Sequence, residues 1–355
     1  MNGTIFNLYS KYGYANARAK AMKSKLLDES TIEALLAVKS IEEVIELLEE
    51  NTYKDELVEF STKYAGVELV NRAVTANFAK IMKKIAAFLP NGSNALLEIV
   101  LEEWTIQNLK AIIASKATGI PVNTTNLSTF NKEQQSLMAI ASDSSLDLQK
   151  TVHKLAISGY SFSGVFHKIE NEHFRNGAIG DWRVLFRELE SYYFEKLGNA
   201  AEHESDSAVK ALLMVKIDFV NTMMIARLKL AGVDKEEIKA NIIKKPTRNK
   251  REMHRLTEKE TIGEVVEEIV KTHKLNESVI IDFQNTNSLV KLEVELERRL
   301  IQKALRTSKV AVLSFAVILA YIYLKQQEVA FLKAIAYSTQ AGISQELKQI
   351  VFTVK

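Results

Sequence analysis

Six histidines, 44 acidic side chains and no cysteine are the raw material for chemistry in this 355-residue chain. Without cysteine there can be no disulfide, thiolate zinc site or cysteine nucleophile. The tightest histidine pair is His167 and His173, in the run His167-Lys168-Ile169-Glu170-Asn171-Glu172-His173. A six-residue step along a helix puts the two rings on opposite faces, so joint metal ligation needs a loop there. The plainer reading is a solvated polar segment. The acid pairs Glu42-Glu43, Glu49-Glu50 and Glu267-Glu268 fall on the polar side of amphipathic patterns and read as solvated faces rather than acid/base dyads. The sequence contains no GxxxxGK[ST], GxGxxG or HExxH, the usual devices for phosphates, dinucleotides and zinc. Trp104 and Trp182 read as core or interface anchors rather than cofactor platforms. No catalytic residue, cofactor, metal or small-molecule substrate is expected.

Charge singles out one segment. The net charge of +3 is too even for a nucleic-acid binder. Lys244 and Lys245, however, open a dense positive run with Arg248, Lys250, Arg251 and Arg255. As a structural feature this is a solvated linker. As a functional one it is a contact for acidic protein or anionic lipid headgroups. A second basic stretch lies within residues 1–27, which hold Lys11, Arg18, Lys20, Lys23 and Lys25 and no acid. It has no apolar signal-peptide core. With Ala15, Ala19, Met22 and Leu26 at helical spacing, it reads as a helix with one basic face. The longest uncharged stretch, the 15 residues Val310–Leu324, is shorter than the about 20 needed to span a bilayer and reads as a helix buried in protein.

The elements that must carry these residues are helical. Average usage at this length gives roughly 18 Pro and 25 Gly, and the chain has 3 and 13. So few breakers leave little room for the turns of a β or α/β fold. Three segments share one ending, in which a helical pattern stops at Gly followed by a β-branched apolar residue: Gly119-Ile120, Gly232-Val233 and Gly342-Ile343. Glycine can take the left-handed conformation that closes a helix, and the apolar residue can fold back on the last turn. Asp234 with Glu237 then offers a capping box, and Ser344 a plain cap, for a further helix. The glycines are 113 and 110 residues apart. A second anchor repeats the period: Ser40, Thr151 and Thr261 each read as a helix cap, at steps of 111 and 110. The chain is therefore expected to be all-α, with three similar units over 1–130, 131–246 and 247–355, too long for a solenoid of short repeats and compatible with packing about a common axis.

Four further segments point to a family. Residues 14–27, Tyr14-Ala15-Asn16-Ala17-Arg18 onward, are similar to the opening helix of the C subunit of V/A-type ATP synthases, the counterpart of the d subunit of V-type ATPases. Asn51-Thr52-Tyr53-Lys54-Asp55-Glu56-Leu57, Asp218-Phe219-Val220-Asn221 and Ala320-Tyr321-Ile322-Tyr323-Leu324-Lys325-Gln326-Gln327-Glu328-Val329 resemble later landmarks, in the family's order. The family's acid-x-x-Asn pattern is intact at Asp218/Asn221. The first repeat has Thr105 before Asn108, and the third has Glu328 before Phe331. The resemblance implies three helical subdomains arranged with pseudo-threefold symmetry as a funnel. It implies a non-catalytic member of the central stalk, peripheral on the cytoplasmic face of a membrane. Its partners would be the central shaft and the proteolipid rotor ring, and its work torque transmission for ion transport; an anionic membrane surface is a candidate partner only through the basic run at Lys244–Arg255. Apart from the resemblance, the residues also admit a helical adaptor unrelated to rotary motors, or an all-helical enzyme whose site assembles across the repeats.

Overall fold

The computed structural model describes residues 11–90, 92–122, 127, 132–174, 181–243 and 249–343. All regular structure among them is helical, as expected. In chain order the helices are α1 (Gly13–Lys23), α2 (Glu29–Ala37), α3 (Ile41–Glu49), α4 (Lys54–Ser61), α5 (Gly66–Phe88), α6 (Asn94–Thr118), α7 (Lys132–Ser142), α8 (Leu148–Ala156) and α9 (Ser163–Ile169). A π-helical turn (Glu170–Phe174) follows. Then come α10 (Val184–His203), α11 (Ser207–Leu230), α12 (Lys235–Asn241), α13 (Lys250–Glu258), α14 (Ile262–His273), α15 (Ser278–Thr286), α16 (Val290–Val310) and α17 (Ala316–Gln340).

Pairs of consecutive long helices recur along the chain, α5/α6, α10/α11 and α16/α17, whose second members have 25, 24 and 25 residues. At the ends of these second helices Gly119, Gly232 and Gly342 have φ of 72°, 73° and 67°, the left-handed conformation expected. The endings are not identical. Gly232 and Gly342 close Schellman motifs: Val233 N–H donates to Leu228 O at 3.0 Å and Ile343 N–H to Ser338 O at 2.9 Å. The first copy has the simpler single bond, Gly119 N–H to Ser115 O at 2.9 Å. Val233 folds back against the core. Ile120 is 69% exposed and Ile343 42%, so the fold-back expected of all three occurs clearly in one.

Helix starts follow the capping chemistry with one correction. Ser40 accepts from Glu43 N–H at 3.3 Å and Thr261 from Glu264 N–H at 3.2 Å, as read from the sequence. Thr151 is not the middle cap. Asp147 is, accepting from Lys150 N–H at 2.8 Å. Thr151 lies four residues inside α8 and is fully buried, in the place that Val44 and Val265 take four residues after their own caps. Neither Asp147 nor Thr151 has an acid three residues on, Lys150 and Lys154 standing there, so no capping box marks either, and the 111-residue spacing alone pointed to Thr151. Asp234 caps α12 with bonds from Glu236 and Glu237 N–H at 2.9 and 3.1 Å, as expected. Ser344 lies outside the described residues.

The chain divides into two compact units, a terminal one (Met1–Lys39 with Gly198–Lys355) and a central one (Ser40–Leu197). In the terminal unit α17 packs on α16, α1 and α11, and α11 also on α13, α14 and α16. Its core includes Met223, Ile225, Leu256, Val265, Ile269 and Leu292. In the central unit α5 packs on α3 and α4, α6 on α7 and α8, and α8 on α9. The uncharged stretch Val310–Leu324 is a buried helix only from about Phe315 on. Val310, Val312 and Leu313 form an exposed turn ahead of it.

Candidate interaction surface

Helix α13 carries the described half of the basic run. Its period of exposure is helical: Glu252, Met253, Leu256 and Thr257 are buried, while Lys250, Arg251, His254 and Arg255 face solvent. Lys250, Arg251 and Arg255 therefore share one face. Among the described residues neither Lys250 nor Arg251 has an acidic partner. Arg255 differs, its Nε donating to Glu268 Oε1 at 2.9 Å, so part of its charge is spent on α14. Lys244, Lys245 and Arg248 lie outside the described residues.

The chain is anchored just before the run begins. Asn221, fully buried in α11, accepts from Ile243 N–H through Oδ1 at 2.9 Å and donates from Nδ2 to Ile243 O at 3.1 Å. This two-point clamp mimics a backbone pairing and fixes Ile243 against α11. Behind the run, Glu252 Oε1 lies 2.7 Å from His273 Nε2, giving the buried acid of α13 a partner on α14. At the far end Glu258 gathers Lys235 and, at 3.2 Å, Lys239. The hydrogen bond from Lys235 leads in holding the Glu258 carboxyl below its usual range. Acid is thus used at the rear and end of α13, and its exposed face stays basic.

The family landmarks sit elsewhere, in buried polar links. Asn16 Nδ2 donates to Val312 O and Ser314 O, both at 3.0 Å, fixing α1 to the turn before α17. Leu27 N–H donates to Glu328 Oε2 at 2.7 Å, and Lys325 Nζ, 1% exposed, donates to Glu328 Oε1 at 2.7 Å. Beside them burial, with a smaller push from Glu328, raises the Tyr321 phenol above its ordinary range. Further along α17, burial pulls the Lys333 amine down to about 8. In the central unit Glu56 accepts from Asn77 Nδ2 at 3.0 Å and Lys80 Nζ at 2.8 Å, and Asn77 also donates to Thr52 O at 2.9 Å. The bond that Lys80 donates to Glu56 leads in raising the Lys80 pKa. The repeated positions Thr105/Asn108, Asp218/Asn221 and Glu328/Phe331 are all buried. These signatures mark how the helices are joined, rather than an exposed contact.

The remaining candidates fall into place. His167 and His173 do not meet as a ligand pair. The neighbours of His173 are Glu172 and Glu188, with potential ligand atoms within 4.8 Å of one another. Lys168 already answers those acids, at 2.8 Å from Glu188 and 3.9 Å from Glu172. Trp104 stacks on Phe78 with centroids 4.6 Å apart, and Trp182 meets Phe186 edge-on at 5.4 Å, so both act as packing anchors. Glu42, Glu43, Glu49, Glu50 and Glu267 are exposed, as the polar-face reading expects, whereas Glu268 is half-buried and pairs with Arg255. No helix among the described residues is long and apolar enough to cross a membrane.

Known proteins resemble the chain along almost its full length. It is 25% identical to the C subunit of the A-type ATP synthase of Pyrococcus abyssi over 357 aligned residues, 98% of this chain and 92% of that protein. The corresponding protein of Thermococcus onnurineus is 28% identical, over 97% of this chain and 90% of its own length. That of Methanococcoides burtonii is 26% identical, over 95% and 93%. The family model described as ATP synthase (C/AC39) subunit matches residues 15–348, and with that span the chain belongs to the ATP synthase (C/AC39) subunit family.

Proposed function

We propose that this chain is a non-catalytic central-stalk subunit of a rotary A/V-type ATP synthase, a socket that joins the central shaft to the membrane rotor ring. The observation that carries the reading is the family match over residues 15–348. The three long helix pairs closed by left-handed glycines support it, because they supply three similar walls. In this reading the repeats 1–130, 131–246 and 247–355 surround a funnel that receives the base of the shaft. The opposite end sits on the ring at the cytoplasmic face of the membrane. Torque transfer needs stiff walls and fixed joints, and the buried links Asn221–Ile243, Glu56–Asn77 and Glu328–Leu27 are joints of that kind.

The basic face of α13, with Lys244, Lys245 and Arg248 ahead of it, is the proposed contact with an acidic partner surface. The test is isolation of the tagged chain from native membranes. Shaft subunits and the proteolipid ring should co-isolate at low salt. Changing Lys244, Lys245, Arg248, Lys250 and Arg251 to Glu should weaken that recovery without lowering the helical circular dichroism signal. Salt should weaken the native contact too, since exposed charges are screened over about 8–10 Å. Recovery of neither ring nor shaft would overturn the socket reading. Undiminished recovery of the reversed protein at low salt would make the run a passive linker.

A further inference from the structure

Two stretches of the terminal unit contain cations and no acid. Residues 11–27 hold five Lys and Arg with no Asp or Glu, and residues 298–327 hold six with none. The fold puts them side by side. Helices α1, α16 and α17 enclose a cavity of about 240 Å³ whose lining includes Lys20, Lys23 and Lys309. Its other walls are mostly apolar, with Ala19, Leu305 and Val317 among them. Next to it is the α16–α17 turn, where Val310 is 86% exposed, Val312 45% and Leu313 38%. Val312 belongs to both features, lining the cavity while facing solvent. Asn16 grips the turn through the carbonyls of Val312 and Ser314, so these side chains are held outward by a defined backbone.

The repeat supplies an internal control. The turn between α5 and α6 reads Leu89-Pro90-Asn91-Gly92-Ser93, and that between α10 and α11 reads Glu204-Ser205-Asp206. Neither exposes a large apolar side chain, Leu89 being buried. Joining two long helices therefore does not require the apolar sequence Val310-Ala311-Val312-Leu313. Its exposure answers to something outside this unit.

We infer that the cavity and turn form a site for an acidic membrane lipid, with the headgroup phosphate among Lys20, Lys23 and Lys309 and the side chains of Val310, Val312 and Leu313 in the acyl boundary. Apolar side chains backed by lysines are the composition of an interfacial membrane contact. A free phosphate would leave the apolar walls without a partner. An acidic protein would satisfy the lysines and leave a valine that is 86% exposed unaccounted for. The inference goes beyond the rotary reading and is tested on the chain alone.

The purified full chain would be floated with vesicles of phosphatidylcholine and with vesicles of equal parts phosphatidylcholine and phosphatidylglycerol. Binding should appear only on the acidic vesicles. Lys20→Glu/Lys23→Glu/Lys309→Glu should reduce it by about tenfold or more. Val310→Ser/Val312→Ser/Leu313→Ser should also reduce it while leaving the circular dichroism spectrum unchanged. The charge-matched control Lys54→Glu/Lys83→Glu/Lys84→Glu, in the central unit, should bind like the native chain. Equal binding to both vesicle types, or full binding by either cavity or turn variant, would overturn the inference. So would displacement by inorganic phosphate but not by chloride at matched ionic strength, which assigns the site to free phosphate. Retention on immobilised polyglutamate without vesicle binding would assign it to acidic protein instead.

Discussion

Lys325 and Glu328 are a charged pair inside a helix whose face is otherwise apolar, with side-chain exposures of 1% and 7%. Taking two charges out of water is costly, and the pair repays that only while both members remain. Glu328 does more than neutralise Lys325, because its second oxygen takes the N–H of Leu27, 301 residues away in sequence. Glu328→Ala should therefore destabilise the terminal unit strongly, by about 3–5 kcal/mol, since it leaves an ammonium buried without its carboxylate. Urea unfolding checks this. A loss below about 1 kcal/mol, the scale of an exposed ion pair, would show that water reaches Lys325. The family segment containing these residues was legible in the sequence, but the partner of Glu328 was not. Neither composition nor spacing marks Leu27, whose contribution is a backbone N–H. The same holds for Asn16, which bonds two carbonyls close to 300 residues away. Such long-range links to backbone groups leave no pattern in a single chain.

At the scale of the element, the legible features were those set by a few consecutive residues. The helix-ending glycines were legible because a left-handed φ is a local demand and glycine meets it without strain. The cap near Thr151 was not, because Thr151 falls at the spacing of the other two caps and no capping-box acid follows either it or the true cap, Asp147, to tell them apart. The fold-back at each glycine was only partly legible, because it depends on what lies opposite the helix end. The helix endings lead to a paired prediction. Gly342 has φ 67° with open space around it, so a side chain there meets strain rather than collision. Gly342→Val should cost roughly 1–2 kcal/mol. Gly164 lies within α9 at an ordinary helical φ, again with open space. Gly164→Ala should add about 0.5–1 kcal/mol, because alanine loses less backbone freedom on folding. Thermal unfolding of the two variants should shift in opposite directions. A Gly342→Val protein as stable as the parent would refute the left-handed ending.

For the whole molecule, the sequence carried the helical class and the period near 111, because both survive as repeated local signals. The two compact units were not legible. Their boundary near residue 198 falls inside α10, one uninterrupted helix, and no linker composition announces it. A central stalk makes the next prediction one of coupling. If this chain is the socket between shaft and ring, its loss should separate two activities that otherwise travel together. The soluble head keeps its own nucleotide sites and should still hydrolyse ATP. The ring remains in the membrane but has no path by which torque can enter it. Membranes from a deletion strain should show little attached head and no ATP-driven ion uptake, while head ATPase activity appears in the soluble fraction. The full chain should restore pumping. Residues 1–130 or 247–355 alone should not, because one wall cannot grip a shaft, and each piece also strands half of the Leu27–Glu328 link. The decisive measurement is ion uptake in membranes verified to lack the protein. Normal ATP-driven uptake there would rule out the coupling role, whatever the family match.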